Sequence, residues 1–162
     1  MCMSASVMGQ KKQTCTPSKK MSTPTSNFVV QSKVVEDLTT KKLWTHCAVG
    51  MQWNGKFCEG KSRAITYAEA MSIIEHYNKE KFGSHSNWRF PTRDELLGIV
   101  EKGCYNPAIN LDVFSYSPQS GFWSSTENPG FTSTRIEIVH YLNGLVYIAN
   151  KNQNWRLRLI AD

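Results

Sequence analysis

The order of periodicities along these 162 residues predicts an α+β fold, two helices packed on a small antiparallel β-sheet with long loops. Three observations carry that expectation. Short β-branched runs stand near the start, two capped helical segments occupy the middle, and the last third alternates polar and apolar residues at the strand period. Helices and strands are segregated, which argues against a doubly wound parallel sheet. The chain is long enough for one core and short for two. A content of 40% hydrophobic and 11% aromatic residues favours packing over disorder.

The opening, Met1 to Gln10, is uncharged and small-residue-rich before Lys11-Lys12. It is too short for a whole secretion signal and reads as the back half of one, with Ser6 and Gly9 near a cleavage point; the alternative is a structureless start. Residues 1–27, with Pro17, Pro24 and many Ser, Thr and Lys, are expected to be a flexible arm, and residues 28–162 a single domain. Residues 11–42 hold seven lysines against Glu36 and Asp37, so most of the net charge of +6 sits on this leading segment. A basic tail raises affinity for polyanions only weakly through salt screening. No stretch reaches the roughly 18 apolar residues of a membrane span.

Phe28 to Val35 and Leu43 to Thr45 read as strands around a polar turn, Glu36 to Lys42. Thr66-Tyr-Ala-Glu69 is a capping box, followed by Tyr67, Ala70, Met71, Ile74 and Tyr77 as one apolar helix face. Thr92-Arg-Asp-Glu95, after Pro91, is a second box; Leu96, Leu97 and Val100 form its stripe, and Gly103 is placed to end that helix in a left-handed conformation. Thr134 to His140 alternates, with Ile136 and Ile138 on one face and Arg135 and Glu137 on the other. Asn143-Gly144 is a strong hairpin signal. Leu145 to Ala149 returns, and Trp155 to Ile160 closes the chain.

With Cys2 assigned to the leader, Cys15, Cys47, Cys58 and Cys104 form an even set that allows three pairings. Cys47 and Cys58 flank a stretch with Gly and Asn that can fold back, which makes them the first pair and leaves Cys15 for Cys104. A loop of that size contributes about 3 kcal/mol in the chain-entropy model. A metal site is the rival, but neither a C-x-x-C nor a spaced His pair occurs. His46 beside Cys47 reads as a surface histidine.

Four segments carry a resemblance: Leu43 to Gly60, Trp88-Arg-Phe-Pro-Thr-Arg-Asp-Glu-Leu96, Phe122-Trp-Ser-Ser-Thr126 and Arg156-Leu-Arg158. In this order, over about residues 34–160, they resemble the C-terminal domain family of the Legionella collagen-like adhesin. The resemblance implies a C-type-lectin-like fold, usually exported, in bacterial surface proteins, adhesins and appendages, and no enzyme activity. Pro91, Thr92 and Glu95 then start a helix, Trp88 and Trp123 need partners for their indole N–H groups, and Arg89 anchors carbonyls or a carboxylate. Lys41-Lys42 stands where many members carry Thr-Gly, and Cys104 and the Lys-rich arm lie outside the family's core pattern.

No Gly-rich phosphate loop, nucleophile elbow or H-E-x-x-H occurs. Formylglycine-generating enzymes share the implied fold but need a reactive cysteine pair, whereas Cys47 and Cys58 read as a staple. The Glu-Pro-Asn and Trp-Asn-Asp motifs of calcium lectins are absent, and Asp112, Glu127 and Glu137 are sparse for a cation that takes six to eight oxygens. The expectation is therefore non-catalytic binding without metal or cofactor, at the cell surface, secreted or in the periplasm. Tyr105, Phe114, Tyr116, Phe122 and Phe131 lie among small polar residues in a stretch suited to recognition. Tyr116, Phe131, Arg135, Arg156 and Arg158 are the candidate ligand contacts, the arginines on outward strand faces. The expected partner is an acidic glycan or an envelope protein, with no specific nucleic acid and an oligomer left open. The alternative is an accessory or tip subunit of an appendage or secretion system.

Overall fold

A computed structural model describes residues 13–130 and 133–162. The expectations for Met1 to Gln10 and for Cys2 lie outside the described residues. The chain forms strands β1 (Thr14–Cys15), β2 (Phe28–Gln31), β3 (Val34–Asp37), β4 (Lys42–Thr45), β5 (Gln52–Trp53) and β6 (Cys58–Glu59). Helices α1 (Tyr67–Lys79) and α2 (Arg93–Gly98) follow, then β7 (Cys104–Tyr105), β8 (Gly121–Glu127), β9 (Arg135–His140), β10 (Leu145–Asn150) and β11 (Ile160–Ala161). The architecture is α+β. One antiparallel sheet has the order β11-β4-β3-β2 and another β10-β9-β8, with the two-stranded ribbons β1-β7 and β5-β6 beside them.

The expected first strand is two strands. Ser32 takes a left-handed φ of 55°, and the chain doubles back so that Val35 pairs with Val30. The turn lets Val34 and Val35 enter the core while Val29 and Val30 stay on the exposed edge strand. Asp37 then shapes the polar turn by accepting the Thr39 N–H at 2.8 Å.

Both capping boxes form: Thr66 accepts the Glu69 N–H and Thr92 that of Glu95. The buried face of α1 runs through Tyr67, Ala70, Ile73, Ile74 and Tyr77; Met71 is turned out at 52% exposure and leaves the expected stripe. Helix α2 stops at Gly98, not at Gly103, because Val100 leaves it to bridge Ile109. Gly103 instead lies against Glu101, donating its N–H to that carboxylate at 2.9 Å.

Strand β8 explains the Trp-Ser-Ser-Thr segment. Its register on β9 jumps between Trp123 and Glu127, leaving Ser124 and Ser125 out of the ladder. Ser124 Oγ fills the gap by donating to the Glu137 carbonyl, the Ser125 N–H donates to the Pro91 carbonyl at 2.8 Å, and Thr126 Oγ1 accepts the Arg93 N–H at 2.9 Å. The detour thus ties β8 to the start of α2. Arg93 also reaches Glu137 at 2.9 Å, and so Glu137 is buried beneath α2 and not on the outward face expected for it.

The indoles and the guanidinium of the motif have these partners. Trp88 Nε1 donates to the Phe82 carbonyl at 2.9 Å and Trp123 Nε1 to that of Ile65 at 2.8 Å. Arg89 grips Glu95 with two nitrogens at 2.8 and 2.9 Å and reaches the Asp162 carboxylate. Arg89 is bonded through the Glu95 carboxylate, whose pKa is held down to about 2 by the Arg89 hydrogen bonds.

Cys15 pairs with Cys104 and Cys47 with Cys58. The described part of the expected flexible arm, residues 13–27, is fastened along the body. Thr14 and Cys15 pair with β7, Gln13 donates to the Pro107 and Ile109 carbonyls, and the Asn110 side chain donates to the Thr23 carbonyl. Glu101 is the hub of this strap. It accepts the N–H groups of Ser22, Thr23 and Gly103 at 2.8–3.0 Å. Burial pushes its carboxyl up, but these donors outweigh burial and hold its pKa below the ordinary carboxylate value.

Glu95→Gln is expected to cost about 2 kcal/mol near neutral pH by weakening charge-assisted bonds to Arg89. A folded-state pKa near 2 means the carboxylate's stabilisation is full above its unfolded value and fades as pH falls toward 2. Thermal midpoints of wild type and variant should therefore converge in acid, and a gap that persists there would contradict the assignment. Glu101→Ala should raise tryptic cleavage after Lys19 and Lys20, measured by mass spectrometry, as the strap loosens; unchanged cleavage would show that the disulfide alone holds it.

Candidate functional site

A cleft of about 400 Å³ opens beside the Cys47–Cys58 bridge, between the β5-β6 ribbon and the end of α1. Its walls are Met51, Gln52 and Trp53 on one side and Tyr77 and Phe82 on the other, with Lys33 at the mouth. Each wall is placed by local structure. The β2–β3 turn delivers Lys33, and that turn is pinned where His46 bonds Ser32 and Lys33 carbonyls at 2.7 and 2.9 Å. The disulfide folds the 48–57 loop back so that Trp53 pairs with Cys58 and stacks on His46, ring centroids 4.0 Å apart. Gly50 has φ of 95°, and a Cβ there would meet Arg63 and the Lys61 carbonyl at 2.7–2.8 Å, so only glycine lets residues 61–63 close against the loop.

On the opposite wall, Tyr77 stacks on Phe82 at 4.5 Å, and Lys33 Nζ lies 5.6 Å from the Phe82 centroid. Burial pushes the Tyr77 phenol up, while the charge of Arg63 acts in the opposite sense. The Arg63 stem packs against Gly50 of the cleft wall, and its charge adds to the Thr66 hydrogen bonds that hold the Glu69 carboxyl low. Neither Lys33 nor Arg63 makes an ion pair among the described residues. Lys33 beside the Phe82 ring, with the Gln52 amide and the neighbouring Arg63, can hold a flat or ring-shaped ligand carrying negative charge.

His46 is a core residue, 1% exposed, and not the surface histidine expected from sequence. Burial lowers its pKa, outweighing the Ser32 carbonyl bond that raises it, and that bond fixes the proton on Nδ1. The ring is a neutral support for Trp53. Among the described residues every cysteine is in a disulfide, and no group of three or more His, Cys, Asp or Glu is arranged to hold a metal.

The sequence-derived contacts do not converge. Arg135 is exposed at the start of β9, opposite Asn150, while Arg156 is half-buried and bridges Phe122, which pairs with Val139. Four strand positions separate them, roughly 13 Å along β9. Tyr116 is half-buried against Phe57, 5.1 Å between rings, on the loop that carries Trp53. Phe131 lies outside the described residues. Phe114 and Phe122 are core, whereas Tyr105 is half exposed.

Arg158 overturns its expected outward position. At 1% exposure it is a cation inside the core, with no carboxylate beside it. It donates to the Thr45 and His46 carbonyls and to Ser117, and its guanidinium lies 4.6 Å from the Phe114 ring and 5.9 Å from that of Phe122. Desolvation pushes its pKa down to about 10, which still leaves it charged at neutral pH. The expected strand Trp155 to Ile160 forms only from Ile160 on, as β11; Leu157 to Leu159 run irregularly through the core and are buried on every side, so alternation did not mean solvent.

Sequence reasoning missed Lys33, counted with the basic segment, Trp53, seen within the Cys47–Cys58 loop, Tyr77, seen as core, and Phe82, which it did not single out. The sequence carried no signal for the turn at Ser32 that delivers Lys33. Arg158→Ala is expected to cost about 3–5 kcal/mol, since two buried carbonyls lose their donor. Chemical denaturation would measure this, and a loss under about 1 kcal/mol would show that the core relaxes around the gap.

No curated protein matches the chain. The family model of the Lcl C-terminal domain matches residues 33–161, about four fifths of the chain, and covers the cleft, both helices, the β10-β9-β8 sheet and all but β2 of the four-stranded sheet. The chain belongs to the Lcl C-terminal domain family, an adhesin-associated domain family.

Proposed function

We propose that this protein is a non-catalytic adhesion module that works outside the cytoplasm and binds acidic glycans in the Trp53–Tyr77–Phe82 cleft. The observation that carries the reading is Lys33, which makes no ion pair among the described residues, over the Phe82 ring in this cleft, with the Arg63 stem packed against Gly50 on the cleft wall. Pyranose rings present C–H edges to such faces, and their carboxylate or sulfate groups pair with the cations. Two disulfides favour an oxidising compartment, the periplasm or the cell surface. No helix among the described residues is long and apolar enough to cross a membrane. The pairing of β11 with β4, which brings the two ends of the domain together, supports a C-type-lectin-like scaffold. Cys47 and Cys58 are bonded to each other, which fits a structural staple rather than a reactive thiol pair.

Retention on immobilised heparin, measured against salt, tests the reading. Wild type should elute progressively earlier as salt rises, and Lys33→Ala/Arg63→Ala should reduce affinity about tenfold or more. Trp53→Ala should weaken binding at every salt concentration, because it removes a ring face and not a charge. Retention that ignores ionic strength, or a double variant that binds like wild type, would overturn the proposal.

A further inference from the structure

The β9–β10 hairpin bears a second concavity that the acidic cleft does not use. It measures about 380 Å³ and is walled by His140, Tyr147 and Trp155, with Asn143 and Gln153 supplying amides and Ile148 an apolar edge. Tyr147 and Trp155 lie 5.8 and 6.0 Å from the His140 ring, each steeply tilted to it at 73° and 77°. Three rings therefore flank one small volume, and no carboxylate, lysine or arginine lines it.

The hydrogen-bonding state of these walls can be worked out group by group. His140 Nδ1 accepts the Leu142 N–H at 3.2 Å, and burial lowers the pKa of this ring, so the neutral form carries its proton on Nε2. Tyr147 Oη accepts from the Asn143 amide at 3.0 Å, which leaves its own proton to donate. Gln153 Oε1 is used by the Asn150 N–H at 2.9 Å, and its Nε2 makes no bond among the described residues. Trp155 Nε1 is buried with no partner among the described residues. Asn143 is held at both ends, through Tyr147 and through the Leu145 N–H, so the wall is preorganised.

We infer that this hairpin concavity is a binding site for an uncharged sugar residue. Aromatic faces meet the apolar face of a pyranose, and the unspent donors of His140, Tyr147 and Gln153 meet its hydroxyl or acetamido oxygens. The absence of lining charge sets it apart from the Lys33 cleft, with which it shares no residue. Neighbouring Leu142, Leu145 and Ile148 are 39–56% exposed and extend the apolar rim along the unpaired edge of β10. The inference does not rest on the acidic-glycan reading.

Titration of the isotope-labelled protein with chitotriose and with cellotriose at high salt, followed by amide NMR, tests it. At least one sugar should cause saturable shifts confined to residues 140–155, unchanged by salt. Tyr147→Ala and Gln153→Ala, both at the surface, should each weaken that binding about fivefold or more while leaving heparin retention intact. Absence of saturable shifts at millimolar sugar, or variants that bind as wild type does, would overturn the site. So would a concentration-dependent rise in mass with hairpin signals lost and no response to sugar, which would make the β10 edge an interface between copies. Loss of heparin retention in the Lys33 and Arg63 variant without change in sugar shifts separates the two sites.

Discussion

The carboxylate of Glu95 is the contact through which the separate parts of this domain are held in one arrangement. It closes the capping box of α2, receives two nitrogens of Arg89, and lies 3.6 Å from Lys42 on β4. Arg89 in turn pairs by its backbone with Ile160 on the last strand and by its side chain with Asp162. One partly buried acid therefore fixes helix start, first core sheet and chain end together. The geometry is bidentate, which costs less ordering per bond than a flexible ammonium would. Ser125 and Thr126 attach β8 to the same helix start, so the family's two most recognisable segments are the two halves of a single junction.

Around that junction, the domain relies on few long elements. Strands of two to seven residues and a six-residue helix cannot organise a chain of this size alone. Two disulfides, the Glu101 hub and the buried Arg158 carry the loops instead. Arg158 is held because its two terminal nitrogens find carbonyls and a hydroxyl and two rings cover its charge, while its buried Nε has no partner among the described residues. These constraints make the scaffold stiff while leaving loop tips free to differ in side chain.

That division suits recognition. The Lys33 cleft and the hairpin concavity both lie where short turns leave rings standing on rigid supports: His46 under Trp53, and the Asn143 amide behind Tyr147. The first is lined by a lysine and the second, among the described residues, by no charged side chain, so the two offer different chemistry. A binding module gains affinity from such prepaid ordering, because fewer side chains are immobilised on contact.

Taken alone, the sequence determined the α+β class, both capping boxes and the β9–β10 hairpin, and it favoured Cys47–Cys58 as the first disulfide. Those features depend on local spacing or on chemistry close in sequence: a hydroxyl three residues before a glutamate, or two cysteines eleven apart around a stretch that folds back. Tertiary structure alone decided the split of the first strand at Ser32, the burial of His46, Glu137 and Arg158, and the assembly of Lys33, Trp53, Tyr77 and Phe82 into a cleft. A strand's period says which residues share a face, but not whether a second layer covers it. Arg135 and Arg158 look alike in the pattern, yet one faces water and the other the core, because packing between distant segments sets the cover over each.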